Sequence, residues 1–343
     1  MKLIELHILQ SFPVTCLNRD DVGSPKSATF GGSQRARVSS QALKRASRLR
    51  AREKSPVGFE GIRSRFLLEP FTEALVGAGM DDAAAAESAK LICEAFSSID
   101  KKNPNQVTTA VFLSPSEIQQ VAVAVAEGKE PKQAVKKVDR LDAADIALFG
   151  RMIANDATLN VEGAAMFSHA LSTHTTANEI DFFSAVDDRK GDAEDAGAGM
   201  IGTLEYNSAT YYRYVAINLD LLFDAKHLGP IKEQEKRKSI LRAFITSVLT
   251  AVPGARQNSM NGATLPVEVL GIRKDKGQPL QLINAFEKPI KANGNGYAVN
   301  SKAEMLKHHA DLKSLWGIET SVESLLTDDK LEGFLTKLLT TDV

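Results

Sequence analysis

Apolar and polar residues alternate at the start of the chain. Ile4, Leu6 and Ile8 fall on one side, and Leu3, Glu5, His7 and Leu9 on the other. A period of two predicts a strand over residues 2–9. A long loop is expected next, because Pro13, Gly23, Pro25 and the Gly31-Gly32 pair punctuate the following stretch. Val38-Ser-Ser-Gln then reads as a helix entry, with Ser39 or Ser40 capping the exposed amides. Ala42, Leu43, Ala46 and Leu49 give that helix an apolar side. Gln41, Lys44, Arg48 and Arg52 step by three or four residues along another side.

From about residue 56 to 175 the chain is rich in Ala, Glu, Lys and Leu. Helix-favouring runs fall at 70–76, 81–97, 114–127, 134–138 and 143–154. Ser114-Pro115-Ser116-Glu117 has the form of a capped helix start with proline in the first turn. The Gly- and Asp-rich stretch 187–202 predicts a mobile excursion or hairpin tip, unordered without a ligand. Residues 211–219 (YYRYVAINL) are aromatic and β-branched, which predicts a strand. A helix over 231–250 is stopped by Pro253-Gly254. Residues 264–272 alternate again, and Pro266 implies an edge or bulged strand. A helical run over 322–339 closes the chain, and no internal repeat is present. The order β, α, helical insertion, excursion, β, α, β predicts an α+β fold built on a split β-α-β layer. An RNA-recognition-type (RRM-like, ferredoxin-like) core with insertions accommodates it.

Composition narrows the class. The chain has 343 residues, 43% hydrophobic and 25% charged, which suits a packed globular protein and excludes a disordered or fibrous one. No apolar run approaches the roughly 20 residues of a membrane span. Glu5 and His7 interrupt the apolar start, so no secretory signal is expected. Cys16 and Cys93 lie far apart and outside any CxxC pair, which gives zinc no support. Two free thiols in a reducing cytoplasm are the expectation.

Charge changes the picture most. The net charge is -1, yet the stretch 26–65 holds eleven Lys or Arg against two acids, Glu53 and Glu60. Lys26, Arg35, Arg37, Lys44, Arg45, Arg48, Arg50, Arg52, Lys54, Arg63 and Arg65 make up this block. Such a local positive field attracts a polyanion such as RNA or DNA. The Gly-Gly loop upstream lets backbone amides approach a phosphate. Ser39, Ser40 and Gln41 stand where a helix start favours an anion. Arg, Lys, Ser, Gln and amides together form a surface that tracks phosphates without reading sequence.

Two further features bear on nucleic acid. Phe182-Phe183 precede the Gly/Asp-rich excursion. In an extended segment adjacent residues point opposite ways, so one ring is expected in the core while the other projects to stack on a base. Met152, in Gly-Arg-Met after a helical run, is a companion candidate. Catalytic patterns are weaker. Asp20-Asp21 beside Arg19 would suit either a metal or a side-chain turn. His169 and His174 are five apart, which is not the i, i+4 spacing of a metal helix. No P-loop, nucleophile elbow or GxGxxG pattern occurs, and Asn293–Gly296 (NGNG) reads as a loop. The sequence is that of a binder, with no catalytic residue, cofactor or metal assigned.

Nine segments carry a resemblance, in order along residues 5–290. They are CLNRDD at 16–21, K-x-A-x-FGG at 26–32, R-x-R-V-SSQ-x-LKRA at 35–46, GRM at 150–152 and STH at 172–174. AVDD at 185–188, YRY-x-x-INL at 212–219, VPGA-x-Q at 252–257 and AFEK at 285–288 complete the set. With them the chain resembles the CasC-type backbone subunits of the type I-E CRISPR surveillance complex Cascade. Beyond about Lys288 little matches.

The resemblance implies a hand: an RRM-like palm, a large helical finger insertion and a hairpin thumb. On this chain that means palm at 1–55 and 209–343, fingers at 56–175 and thumb at 176–208. It implies a non-catalytic subunit of a cytoplasmic ribonucleoprotein in antiviral defence. Several copies stack as a helical filament along the CRISPR RNA (crRNA) spacer, beside other Cascade subunits. Each thumb kinks the RNA, and the guide is presented for pairing with target DNA. RNA-binding roles are implied for Arg19, Lys26, Ser40, Gln41, Lys44, Arg45 and Arg48 at the backbone. Met152, Phe183 and Ser184 are implied at the kink, where Phe182 stands in place of a larger aromatic. Lys136 and Lys137, on the insertion, are implied to face target DNA. The competing reading is a metal-dependent, guide-directed ribonuclease subunit using Asp20 or Asp21. A third is a protein that polymerises without nucleic acid.

Overall fold

The computed structural model describes the whole chain except residues 56–57, 140–141, 154, 186–199, 255 and 341–343. It opens with β1 (Leu3–Thr15), β2 (Ser27–Phe30), β3 (Ser33–Val38) and α1 (Ser40–Lys54). Next come β4 (Ile62–Ser64), α2 (Leu68–Gly77), α3 (Asp82–Phe96), β5 (Val111–Leu113) and α4 (Pro115–Ala126). The short α5 (Pro131–Ala134), α6 (Ala144–Phe149), β6 (Ala165–Phe167) and β7 (Ala170–Ser172) follow. Then β8 (Glu179–Ala185), β9 (Met200–Asn218), α7 (Leu219–Leu222) and α8 (Gln234–Thr250) lead to β10 (Glu268–Lys274). The chain closes with α9 (Ala298–Trp316), β11 (Val322–Leu325) and α10 (Leu326–Leu338).

Contacts divide the chain into two compact units. Among the described residues the first is Met1–Arg50, Phe167–Ala216 and 245–340; the second is Ala51–Met166 and Ile217–Phe244. The main sheet runs β11-β10-β1-β9-β7-β3-β2. Its centre, β10-β1-β9-β7, interleaves two β-α-β passages, β1-α1-β7 and β9-α8-β10. The fold is α+β, and this order is compatible with an RRM-like palm.

Central position explains the composition of β1. Every residue from Leu3 to Gln10 is buried, so both faces of the alternation are covered. Its polar residues are matched by the YRY segment of β9. Tyr214 donates to Glu5 Oε1 at 2.7 Å, and the Lys274 ammonium pairs with Glu5 Oε2 at 2.5 Å. Tyr212 Oη lies 2.9 Å from His7 Nδ1 and accepts the Leu282 amide at 2.8 Å. Burial holds the His7 pKa well below its ordinary value. On the opposite face Arg213 donates to Gln10 Oε1, and at 2.7 Å to the Val248 carbonyl. Asn218 then caps α7 by accepting the Leu221 amide at 3.1 Å. YRY-x-x-INL is therefore a set of buried fastenings.

Several expectations need correction. The loop expected after β1 holds a hairpin, β2–β3, in which Phe30 faces Ser33. Gly31 (φ 57°) and Gly32 (φ 71°) form its two-residue turn, in the left-handed region that such hairpins require. Pro266 lies before β10, and β10 sits inside the sheet between β1 and β11, so it is no edge strand. The expected helix over 134–138 is α5, already ended at Ala134, and the one over 143–154 is α6, ended at Gly150 with φ 81°. The closing helical run begins as β11, which pairs with β10. The tip of the expected excursion, and AVDD beyond Ala185, lie outside the described residues.

Gly31 also makes a close approach. A Cβ there would stand 1.7 Å from the carbonyl oxygen of Glu287. Gly31→Ala is expected to lower stability by about 3 kcal/mol, from positive φ plus an immovable backbone clash. A urea titration reads this as a lower midpoint at unchanged slope; a wild-type midpoint would contradict the packing described.

In the second unit, α2, α3 and α4 enclose an apolar cluster including Phe71, Ile92, Phe96 and Val121. The expected cap of α4 is present: Ser114 Oγ accepts the Glu117 amide at 3.2 Å, and Glu117 Oε2 accepts the Ser114 amide at 3.1 Å.

Candidate nucleic-acid interface

Helix α1 begins where the residues predicted it. Ser39 is its cap, with Oγ accepting the Ala42 amide at 3.3 Å. Two neighbouring amides are taken as well. Ser39 N–H donates to Asn18 Oδ1 at 2.9 Å, and Ser40 N–H to His169 Nδ1 at 3.0 Å. These bonds take two of the amides at this helix start for the protein's own side chains, beside the cap. His169 is a helix-start anchor. His174 is a buried fastening, stacked on Tyr297 at 3.6 Å and accepting the Thr210 amide at its Nε2. Among the described residues no group of three or more His, Cys, Asp or Glu is placed to hold a metal.

Asn18 ties the Cys16–Asp21 loop to this helix. Besides the Ser39 amide, its backbone carbonyl accepts the Lys26 amide at 2.9 Å. Arg19 and Lys26 are thus held beside the start of α1. Gln41 and Arg45 are exposed, while Ser40, Lys44 and Arg48 are half-buried. Leu43 and Ala42 turn inward to a cluster with Phe12, Leu17, Val38 and Tyr211. Lys44 Nζ lies 5.8 Å from the centre of the Phe167 ring, and burial lowers its pKa from the ordinary lysine value. Among the described residues no ion pair engages Arg19, Lys26, Lys44 or Arg45. Asp20 belongs to the loop's own turn: its Oδ1 accepts the amides of Val22 and Ser24 at 3.1 and 2.9 Å.

Part of the basic block serves the fold. Arg35 is completely buried and donates to the carbonyls of Ser172, Phe286 and Glu287 at 2.9–3.1 Å. Arg65 pairs with Asp100, and Arg52 donates to the carbonyls of Phe59, Glu60 and Gly61. Counting charges along the chain overstated the surface field, because backbone carbonyls and Asp100 already hold these guanidinium groups.

The aromatic pair also differs from expectation. Neither ring enters the core: Phe182 is 65% exposed and Phe183 36%. In the β8–β9 hairpin Phe183 faces Gly202, and a Cβ at Gly202 would meet its ring at 2.5 Å. Phe183 thus lies over a glycine, while Ile180 and Phe182 project from the other face. Ser184 is exposed. The exposure of Phe182 was legible in the alternation Ile180, Phe182, Ser184 along one face of the strand.

In the second unit the Met152 side chain is 82% exposed. Its neighbours explain why. Gly150 turns the chain tightly, and a Cβ there would stand 3.0 Å from the Gly163 nitrogen. Arg151 is buried and pairs with Glu117 at 2.8 Å, while also donating to the carbonyls of Phe112 and Leu159 at 3.2 Å. With Arg151 anchored inward, Met152 must point outward. Lys136 and Lys137 are exposed, in the turn after α5 rather than on a helix. Lys136 pairs with Asp156 at 3.0 Å. Hydrogen bonds from Thr158 and then Lys136 hold the Asp156 carboxyl at about 2.

No curated protein matches this chain. Among solved structures it is similar to a chain of a CRISPR RNA-guided surveillance complex, pre-nicking. The two are 26% identical over 93% of this chain and 90% of that one, with a TM-score of 0.78. A chain of another CRISPR RNA-guided surveillance complex shares the fold: 24% identity, 94% and 88% coverage, TM-score 0.61. The resemblance drawn from the motifs to a Cascade subunit therefore holds along almost the entire chain. The model of the CT1975-like protein family matches residues 4–339, and the chain belongs to that family.

Proposed function

We propose that this chain is a non-catalytic subunit that holds CRISPR RNA along α1 and the loop bearing Arg19 and Lys26. Several copies stack along the guide spacer, beside other subunits, and present it for pairing with target DNA in antiviral defence. The observation that carries this reading is the ridge of Lys26, Gln41, Lys44 and Arg45. Gln41, Lys44 and Arg45 sit on α1 and Lys26 on the loop tied to its start, and no carboxylate of the described residues pairs with the three cations. Such a surface tracks phosphates and leaves specificity to base pairing. Phe182 and Phe183, with Ser184 next in the chain, supply apolar groups that stack on or unstack bases, and Met152 supplies another on the second unit. Lys137, with Lys136, faces the target strand.

Purification with and without nuclease tests the assembly. RNA of one defined length should co-purify, and nuclease should reduce the assembly to single subunits. An assembly indifferent to nuclease would support a protein polymer instead. Incubation with matched RNA and Mg²⁺ tests the ribonuclease reading. No cuts at regular spacing are expected, since Asp20 is spent on its own turn. Guide-directed cuts abolished by Asp21→Asn would overturn the non-catalytic assignment.

A further inference from the structure

Lys132, Lys136 and Lys137 are exposed around α5 and the turn after it. Among the described residues one ion pair engages them, between Lys136 Nζ and Asp156 Oδ2 at 3.0 Å. Packing fixes both ends of that pair. Ala134 and Val135, just before Lys136, are buried in the apolar cluster of the second unit. Ile153 and Leu159, on either side of Asp156, are buried in the same cluster. Hydrogen bonds close the lysine turn: the Lys136 amide donates to the Gln133 carbonyl at 3.3 Å, and the Lys137 amide to the Ala134 carbonyl at 3.2 Å. Two segments seated on one core bring their side chains together at a small cost in order.

The two oxygens of Asp156 have separate tasks. Oδ1 caps the turn Ala157–Leu159, accepting the Thr158 amide at 2.9 Å and the Thr158 hydroxyl at 2.5 Å. A cap of this kind needs one acceptor oxygen, which Asn or Ser supplies as well. Oδ2 goes to Lys136 instead. The cap therefore has no need of the negative charge, and Lys136 is the group that feels it. A carboxylate at this distance holds an ammonium by the same charge-assisted bond that a phosphate would offer. Lys136 is thus engaged before any nucleic acid arrives, whereas Lys137 has no carboxylate partner among the described residues.

We propose that Asp156 sets how weakly this subunit holds DNA that has not paired with the guide. It occupies Lys136 in place of a phosphate, and a strand must displace it to gain that contact. The role of Asp156 rests on the reading of Lys136 and Lys137 as facing the target strand. DNA of unrelated sequence offers phosphates alone, and its binding is made of such contacts. A complementary strand is also held by base pairing to the guide, and so bears the displacement. Repeated in every copy, the carboxylate lowers capture by the many unrelated sites that compete with a target.

The test is Asp156→Asn in the RNA-bound assembly, titrated with single-stranded DNA of unrelated sequence over a range of salt. Asn keeps the cap, so thermal stability is expected to be unchanged. The unrelated strand should bind more tightly, by about 2- to 5-fold for each Lys136 released. Its salt slope should steepen by up to about 0.7 per copy, the share of one phosphate on a single strand. In a Lys136→Ala background the same substitution should change nothing, because the gain passes through Lys136. Unchanged binding in Asp156→Asn would overturn the proposal, and so would an equal gain without Lys136, which marks a general field effect. Asp156→Ser, which also caps, should behave as Asp156→Asn does; a loss of stability in both would assign the pair to the fold and overturn it too. Lys136→Ala with Lys137→Ala separates the two ideas. If that variant holds target and unrelated DNA as the wild type does, the target-facing reading itself fails. If it loses DNA while Asp156→Asn changes nothing, only the role of Asp156 fails.

Discussion

Lys44→Glu combined with Arg48→Glu is expected to release the RNA. The two residues stand one turn apart on α1, on the side also presenting Gln41. A charge-assisted hydrogen bond is worth about 1.5–3 kcal/mol, so losing two weakens binding by roughly 100-fold or more. Reversal of charge adds repulsion to that loss. The salt dependence should flatten too, by about 0.7 in slope per phosphate no longer neutralised. Filter binding across a salt series, with thermal unfolding alongside, reads both effects. The control matters because Lys44 also lies over Phe167. A folded double variant that retains wild-type affinity would remove α1 from the interface.

Arg151→Ala should cost more stability than any surface change in the second unit. Removing Arg151 takes the guanidinium from the buried Glu117 carboxylate that it pairs with. Breaking one partner of a buried pair costs about 3–5 kcal/mol. It also frees the Phe112 and Leu159 carbonyls from their donor. The next residue should behave in the opposite way. Met152→Ala removes an exposed side chain, so stability is expected within about 0.5 kcal/mol of wild type. Its effect should appear in RNA binding alone. Chemical denaturation of the two variants, followed by RNA titration, distinguishes an anchor from a wedge. Equal stability losses at 151 and 152 would contradict this division.

Much of the candidate site was legible along the chain. The cap at Ser39, the capping box at Ser114 and Glu117, and the side of α1 bearing Gln41, Lys44 and Arg48 all follow from local spacing. Local hydrogen bonds and helical period decide such features within a few residues. Arg35 was not legible. Its role comes from carbonyls 137 and 251 residues away, and nothing near it announces them. The same holds for Phe183, whose resting place is Gly202 on a partner strand. Gly31-Gly32 was readable in principle. Two glycines between short extended runs signal a hairpin, but the runs flanking them are only four and six residues long.

By itself the sequence determined the α+β class, the helix starts, the local excess of positive charge and the family. These rest on periodicity, caps and motif order, which are properties of neighbours in the chain. Only the tertiary structure decided which charges remain for a ligand. Burial spends Arg35 and Arg151 on the protein's own acceptors, and leaves Lys26, Lys44 and Arg45 without a carboxylate partner among the described residues. A charge acts on a partner only after packing has set what else lies within reach, and packing joins residues the chain keeps far apart.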